Sequence, residues 1–388
     1  LKRNSLPRFN KQASNCKTAR AGETNKLPRI GILSPSLTTA DAVSNDVLGM
    51  YDALRRQGNN VRLFSETRSL GSHQVFDVSG IKHFLKGADD LLIYHYSVGW
   101  SPVLSLLREL KCRKAIKYHN VTPAKYFMGF SRSDQRLCED GREQLGQLAQ
   151  SQCDLYLADS TFNKNELVAQ GASDSRSFVV PPFHHIDRLA AITADEEVLR
   201  KYSDGDANIL TVGRVMPNKG HLTLIEVFAS YYYNCNRNSR LIIVGKGGEG
   251  FSPYAKLLHK AVGSVGLKDA VVFSGGVSDE ALKAYYLVAN AFVMASEHEG
   301  FCVPLVEAMS MKLPITAFAS TAIPETLGDA GLAWPERDPF LIAESIDLIL
   351  SDSAVRTALG LRGRQRYEAM FTNQIIESSF LHALSCLQ

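Results

Sequence analysis

The chain has 388 residues, 45% hydrophobic and 21% charged, the balance of a soluble globular protein with material for two or three domains. A net charge of +3 gives no reason to expect nucleic acid as a partner, and no apolar run is long enough to span a bilayer. The seven cysteines are odd in number, scattered and never spaced C-x-x-C. That pattern argues against a disulfide framework or a zinc site and fits a reducing, cytoplasmic compartment.

Basic charge is concentrated at the start, where residues 1–30 hold eight Lys or Arg against Glu23 alone. Residues 1–27 lack apolar periodicity and the apolar stretch of a signal peptide, so they read as a disordered basic arm. A solvated tail is the plain reading, and peripheral contact with an anionic inner membrane face is the alternative.

From residue 28 the chain alternates short apolar β-rich runs with helical spacings. Arg29–Ser34, Val61–Phe64, Asp90–Tyr94, Ala115–Tyr118 and Leu155–Ala158 read as strands. Helices are expected at 45–57, 102–110 and 163–170. Pro181 and Pro182 interrupt this pattern, and charged material runs to about Gly205. The alternation then restarts, with strands at 209–212, 241–244, 270–273, 292–295 and 314–317. Helices are expected near 219–233, 253–265, 278–287, 304–311 and 338–350. The expected fold class is α/β, with two doubly wound parallel sheets facing a central cleft. The expected divisions are a first domain at 28–182, a linker at 183–205, a second domain at 206–371 and a last helix at 372–388. In such sheets ligands bind beyond the carboxyl ends of the strands.

The loop after the strand at 209–212 is Gly213-Arg214-Val215-Met216-Pro217-Asn218-Lys219. It sets two cations five residues apart at a turn, an arrangement suited to a pyrophosphate leaving group. A solvated surface pair is the plain alternative. The loop after 292–295 carries Glu299, Phe301, Cys302, Val303, Pro304, Leu305 and Glu307. Pro304 suits a first helical position, which would leave nearby N–H groups free for an anion. Glu299 and Glu307 are eight apart and not on one helical face, so they can serve different hydroxyl pairs of one ligand.

Glu299-Gly-Phe-Cys-Val-Pro-Leu-Val-Glu307 resembles the E-x7-E motif of the family 4 retaining glycosyltransferases of GT-B fold. Gly213-Arg214-x4-Lys219 resembles their second donor signature. The likeness runs from about 28 to 385 and is strongest over 208–335. It implies that Arg214 and Lys219 bind a donor diphosphate and Glu307 a ribose. Glu299 would contact the donor sugar near the reacting carbon, and backbone at Phe301–Leu305 would touch sugar and phosphate. Cys302 stands where that family most often has glycine, so its side chain is expected to narrow the donor pocket.

Gly245-Lys-Gly247-Gly-Glu-Gly250 is a literal G-x-G-x-x-G after a strand. The acidic residue of a dinucleotide site is missing downstream, so the string reads as a glycine-rich turn beside the donor phosphates. Ser274 and its following glycines are expected to line the base pocket.

In the first half, His119 follows a buried strand, where a histidine is ordinarily structural. Related enzymes carry a histidine there near the transferred sugar, which makes His119 a catalytic candidate beside Glu299. His95, at a similar strand end, and Asp41, in a glycine-free loop, are candidate acceptor contacts. Capping of a helix is the alternative role for Asp41.

No D-x-D string stands at a strand end and no His/carboxylate cluster suggests a metal, and no cofactor is expected. The resemblance therefore implies a metal-independent, retaining hexosyltransferase. Its donor would be GDP-mannose or a UDP-sugar, and its acceptor a glycan or lipid-linked saccharide, as in polysaccharide biosynthesis. Two other classes remain open: a nucleotide-sugar-binding accessory subunit without transfer activity, and a dinucleotide-dependent oxidoreductase resting on 245–250.

Overall fold

The computed structural model describes residues 28–39, 41–69, 73–247 and 252–387. The basic arm expected at 1–27 and the end of the glycine string, 248–250, lie outside the described residues.

The first domain contains strands β1 (Arg29–Leu33), β2 (Ser36–Thr38), β3 (Asn60–Phe64), β4 (Thr67–Ser69) and β5 (Val75–Phe76). These are followed by β6 (Leu91–Tyr96), β7 (Arg113–Tyr118), β8 (Leu155–Ala158) and β9 (Ser177–Val179). Seven of them form one parallel sheet in the order β5-β3-β1-β6-β7-β8-β9, and β2 pairs β4 as a separate ribbon. Its helices are α1 (Ala42–Arg56), α2 (Ile81–Phe84), α3 (Val103–Glu109), α4 (Arg132–Ala149) and α5 (Thr161–Ala169). Every residue of β6 is buried, as expected of a central parallel strand covered on both faces.

Helices α6 (Ile186–Ala191) and α7 (Glu196–Tyr202) lead into the second domain. Its strands are β10 (Ala207–Val212), β11 (Ser239–Val244), β12 (Val271–Gly275), β13 (Ala291–Met294), β14 (Ile315–Phe318) and β15 (Gly331–Trp334). They form a parallel sheet in the order β12-β11-β10-β13-β14-β15. Around it lie α8 (His221–Asn234), α9 (Pro253–Ser264), α10 (Asp279–Val288), α11 (Val303–Ser310), α12 (Ile323–Leu327), α13 (Pro339–Ser351) and α14 (Ser353–Met370). The chain ends with α15 (Asn373–Ser385).

Each sheet has an apolar core on both faces. In the first domain one core joins the sheet to α3 and α4 through Leu106, Leu107, Leu145 and Leu148. The other joins it to α1 through Val47 and Met50 and to α15 through Ile376 and Phe380. The last helix therefore completes the core of the first domain, and Arg56 pairs with Glu377 at 2.6 Å.

The segment read as a linker is largely helical and packs on the second domain. Tyr202 lies against Tyr285 with ring centroids 5.6 Å apart, and the Asp195 N–H donates to Glu280 O at 3.0 Å. The crossings between domains are narrower than 183–205: one runs through His184 and the other through Phe371–Asn373. They are bonded together. His184 Nε2 lies 2.7 Å from Phe371 O, and Asn373 Nδ2 donates to His184 O at 2.9 Å.

In the first sheet the chain winds outward from β1 through β3 to β5, then from β6 through β9 on the other side. In the second it winds from β10 to β12, then from β13 to β15. The order therefore reverses between β1 and β6 and between β10 and β13. Crevices at such reversals are where open α/β sheets hold ligands. At these reversals stand the Asp41 loop and the His95 end of β6 in one domain, and the loops carrying Arg214, Lys219 and Glu299 in the other.

Candidate active site

In the second domain three strand-end loops are layered backbone on backbone. The Gly213 N–H donates to Val244 O at 2.9 Å, Val215 N–H to Lys246 O at 2.8 Å and Gly245 N–H to Gly275 O at 2.9 Å. A Cβ on Gly245 would lie 1.8 Å from Gly213 O, so only glycine permits this approach. Ser274 Oγ donates to Ile243 O and Gly275 O, both at 3.3 Å, so this hydroxyl is engaged with local backbone. Arg214 is exposed on this rim.

Beyond a 3-10 turn at Pro217–Lys219, Gly220 adopts a left-handed conformation with φ 66°. A Cβ there would sit 2.0 Å from Ala295 O. That contact lays the turn on the loop after β13. Glu297 N–H donates to Asn218 O at 2.8 Å and Asn218 Nδ2 to His298 O at 3.2 Å. Lys219 Nζ then reaches Glu299 Oε1 at 2.6 Å, with side chains 22% and 9% exposed. Thr321 Oγ1 fixes the Glu299 backbone, accepting from its N–H and donating to its carbonyl, both at 2.8 Å.

Pro304 is the second residue of α11, not the first as expected, and Cys302 caps the helix with φ 78°. The Leu305 N–H turns back to Cys302 O at 3.1 Å, so that amide is taken, contrary to the expected run of free donors. Phe301, Cys302 and Leu305 are buried in the apolar core. The Cys302 thiol therefore packs beneath the loop and does not narrow a surface pocket, and burial pushes its pKa well up. Val303 is half-buried.

Glu307, one turn into α11, is almost wholly buried, and burial raises its pKa. Tyr286 Oη donates to Glu307 Oε2 at 2.6 Å, and His185 Nε2 lies 3.6 Å from Oε1. The other His185 ring nitrogen is 3.0 Å from Asn45 Nδ2 on α1. This places Glu307 beside the domain crossing.

The first-domain wall departs more from expectation. Asp41 takes the alternative role expected of it, as the N-cap of α1, accepting from Ser44 N–H and Oγ at 3.0 Å. His95 is fully buried and does not reach an acceptor surface; His119 is 5% exposed. Their rings stack, with His95 Nδ1 2.9 Å from His119 Nε2. His119 Nδ1 lies 3.0 Å from Asp159 Oδ2, and Lys117 Nζ lies 2.7 Å from Asp159 Oδ1. Asp46, wholly buried at the start of α1, accepts from Phe183 N–H through Oδ1 at 2.8 Å. Its Oδ2 has no hydrogen-bond partner.

The expectation that no His/carboxylate cluster exists is thus corrected, since Asp46, His95 and His119 converge with ligand atoms within 4.8 Å of one another. The sequence hid this because the three residues come from α1, the end of β6 and the residue after β7, far apart along the chain. Burial, with the charges of His119 and Lys117, holds the His95 pKa well below the ordinary range, and burial raises that of Asp46.

Several residues that bring the two walls together escaped the sequence reading. Asn120, with φ 74°, accepts from His298 Nε2 at 2.6 Å and donates to Asn163 Oδ1 at 2.8 Å. A Cβ on Gly300 would lie 2.8 Å from His119 O. Tyr126 Oη donates to Glu297 O at 3.3 Å, and Glu325 accepts from Thr161 N–H at 2.9 Å at the start of α5. Asn120 directly follows His119 and His298 directly precedes Glu299, so both are legible as polar residues beyond strand ends. Glu325 gave no signal.

The model for glycosyl transferases group 1 matches residues 195–366. The GDP-mannose-dependent alpha-(1-6)-phosphatidylinositol monomannoside mannosyltransferase of Mycobacterium tuberculosis is 29% identical over 197 residues, covering 48% of this chain and 50% of that protein. O-antigen chain mannosyltransferase B of Escherichia coli is 29% identical over 219 residues, covering 54% and 55%. The matched segment thus spans about half the length of these relatives. Sucrose-phosphate synthase from Thermosynechococcus elongatus superposes with a TM-score of 0.72 at 19% identity, over 92% of this chain and 98% of that one. The Anabaena protein HepE, in complex with UDP and glucose, gives 0.72 at 17% identity over 92% and 99%. Residues 195–366 thus resemble the glycosyl transferases group 1, in a chain whose two doubly wound domains have the GT-B fold.

Proposed function

We propose that the chain is a retaining glycosyltransferase that moves a hexose-type sugar from GDP-mannose or a UDP-sugar to a glycan or lipid-linked saccharide. The observation that carries this reading is the pairing of Lys219 with Glu299 at 2.6 Å, at the strand-order reversal of the second sheet. Glu307 lies buried on the helix that follows. Relatives named as mannosyltransferases and a capsular polysaccharide glycosyltransferase support the substrate class.

In this reading Arg214 and Lys219 neutralise the diphosphate as the bond to the anomeric carbon breaks, without a metal on the phosphates. Glu307 accepts hydrogen bonds from the ribose, and Glu299 from the sugar hydroxyls. The departing phosphate oxygen takes the proton of the acceptor hydroxyl, which attacks the same face through an oxocarbenium-like state. Covalent attack by Glu299 is a less favoured variant. Lys219 and Glu299 neutralise each other at 2.6 Å, so the diphosphate and the sugar must part them. His119, with its ring held by His95 and Asp159, serves as a positioning residue for the loop that meets Gly300.

The oxidoreductase alternative loses its footing, because Gly245 and Gly247 are accounted for by packing against the Gly213 and Val215 carbonyls. A thermal-shift panel of UDP, GDP and ADP sugars, with mass spectrometry of products, tests the proposal and separates it from an accessory subunit. Transfer is expected to collapse in Lys219→Ala and Glu299→Ala, and near-normal activity in both overturns the site. An inverted anomeric configuration in the product, read by NMR, overturns the mechanism.

A further inference from the structure

We infer that Asp46, His95 and His119 form a binding site for one divalent transition-metal ion of the zinc class, inside the first domain. Three ligand atoms define it. His95 Nδ1 and His119 Nε2 are 2.9 Å apart, and Asp46 Oδ2 lies 3.7 Å and 3.6 Å from them. A point equidistant from these corners lies about 2 Å from each, the length of zinc–imidazole and zinc–carboxylate bonds. Two imidazoles and a single carboxylate suit zinc, cobalt or nickel better than magnesium or calcium, which take oxygen donors.

The surroundings are those of a built site. His119 turns its other ring nitrogen to Asp159 Oδ2 at 3.0 Å, the carboxylate–histidine arrangement that fixes the tautomer of a metal ligand. Asp46 spends Oδ1 on the Phe183 N–H at 2.8 Å. Its Oδ2, on a fully buried side chain, faces the two histidines without a hydrogen-bond partner. A buried anionic oxygen left unpaired is costly, and a cation at the centre of the triangle satisfies it.

The charge balance points the same way. With both imidazoles neutral, Asp46 and Asp159 outweigh Lys117 by one negative charge in a buried cluster. Lys117 Nζ lies 3.9 Å from Asp46 Oδ2, but it is drawn to Asp159 at 2.7 Å and donates to Val180 O. The ion has no part in the diphosphate chemistry proposed above. It clamps the start of α1 to the end of β6 and to the loop after β7, from which Asn120 meets the second domain.

The test uses the full chain, stripped with a chelator, dialysed and titrated with zinc chloride or cobalt chloride. About one equivalent should bind, zinc should raise the melting temperature by a few degrees when in large excess over its dissociation constant, and cobalt should give visible d–d absorption. Asp46→Asn and His95→Gln should each weaken binding at least tenfold while keeping the far-ultraviolet circular dichroism of the parent. X-ray absorption of the zinc-loaded parent chain should show imidazole and oxygen ligands, a readout that does not depend on the variants folding. Less than a tenth of an equivalent, unchanged binding in folded variants, or thiolate coordination overturns the site. None of these readouts requires sugar transfer, so failure here is distinct from failure of the glycosyltransferase reading.

Discussion

Replacing Glu299 by Gln should separate nucleotide binding from transfer. Lys219 is held by Glu299 at 2.6 Å, in a setting where the carboxylate is 9% and the lysine 22% exposed. Two unit charges 4 Å apart at an effective dielectric constant of about 20 attract by about 4 kcal/mol. Desolvation and partial exposure of the lysine reduce the net value of such a pair to about 1–2 kcal/mol. A diphosphate must overcome that attraction to engage Lys219. Glutamine keeps the shape and removes the competing charge, so UDP or GDP should bind about 5- to 30-fold more tightly, at 1.4 kcal/mol per decade. Transfer should fall on the order of 100-fold or more, since a charge-assisted contact at the reacting sugar is gone. Isothermal titration with UDP and GDP, together with turnover measured on the cognate donor, checks both halves. Unchanged or weaker nucleotide binding in a variant of normal melting temperature would refute the idea that Glu299 competes for Lys219.

Gly245→Ala should destabilise the second domain by about 3 kcal/mol or more, because the added Cβ would lie 1.8 Å from Gly213 O; a denaturant midpoint equal to that of the parent would count against this. Tyr286→Phe removes the hydroxyl that donates to Glu307 Oε2 at 2.6 Å, leaving a buried carboxylate short of a donor. The expected cost is about 1–3 kcal/mol in stability, with nucleoside diphosphate affinity reduced at least about fivefold, as read by urea titration and calorimetry. Burial pushes the pKa values of His221 and His298 down to about 4. The unfolded chain takes up these protons near pH 6.5 and the native state does not, so stability is full above pH 6.5 and declines as the pH falls toward 4. The decline should reach roughly 3 kcal/mol per histidine at 1.36 kcal/mol per pKa unit, and a urea midpoint equal at pH 7.5 and 4.5 would contradict it.

The doubly wound architecture was legible because buried parallel strands are short apolar runs, such as Leu91–Tyr96 and Leu241–Val244, bounded by helical spacings. The Lys219 and Glu299 loops were legible because such sheets place ligands at strand ends. What escaped has physical reasons. Helix α4 is largely polar, with five buried residues among its eighteen, so its apolar stripe is too thin to show as periodicity. Helix α14 buries only Leu359, Gly360, Gly363 and Tyr367. Residues 183–205 looked like a charged linker, yet Tyr202 and Ile186 carry them into the core of the second domain. His95 and Asp41 were read as acceptor contacts from their position alone. The burial of His95 is a three-dimensional outcome that the local string does not encode, whereas the capping role that Asp41 takes was one of the two its sequence position offered. Asp46 falls in the helix expected at 45–57 with no local sign of a partner, and only the pairing of β1 with β6 sets it against His95 and His119.

The two interdomain crossings lie side by side, joined by His184 to Phe371 and by Asn373 to His184. Plates joined along one edge can swing but cannot slide. An opening that keeps both crossings joined would be a rotation about a line through His184 and Asn373, with an amplitude that grows with distance from that line. Glu307 sits next to the line through His185, whereas Glu299 and Gly300 belong to the loop that meets Asn120 across the gap. A swing separates the Gly300 loop from Asn120 while scarcely moving Glu307. A nucleotide held at its ribose would thus remain seated while the sugar end of the cleft opens for acceptors to enter and products to leave.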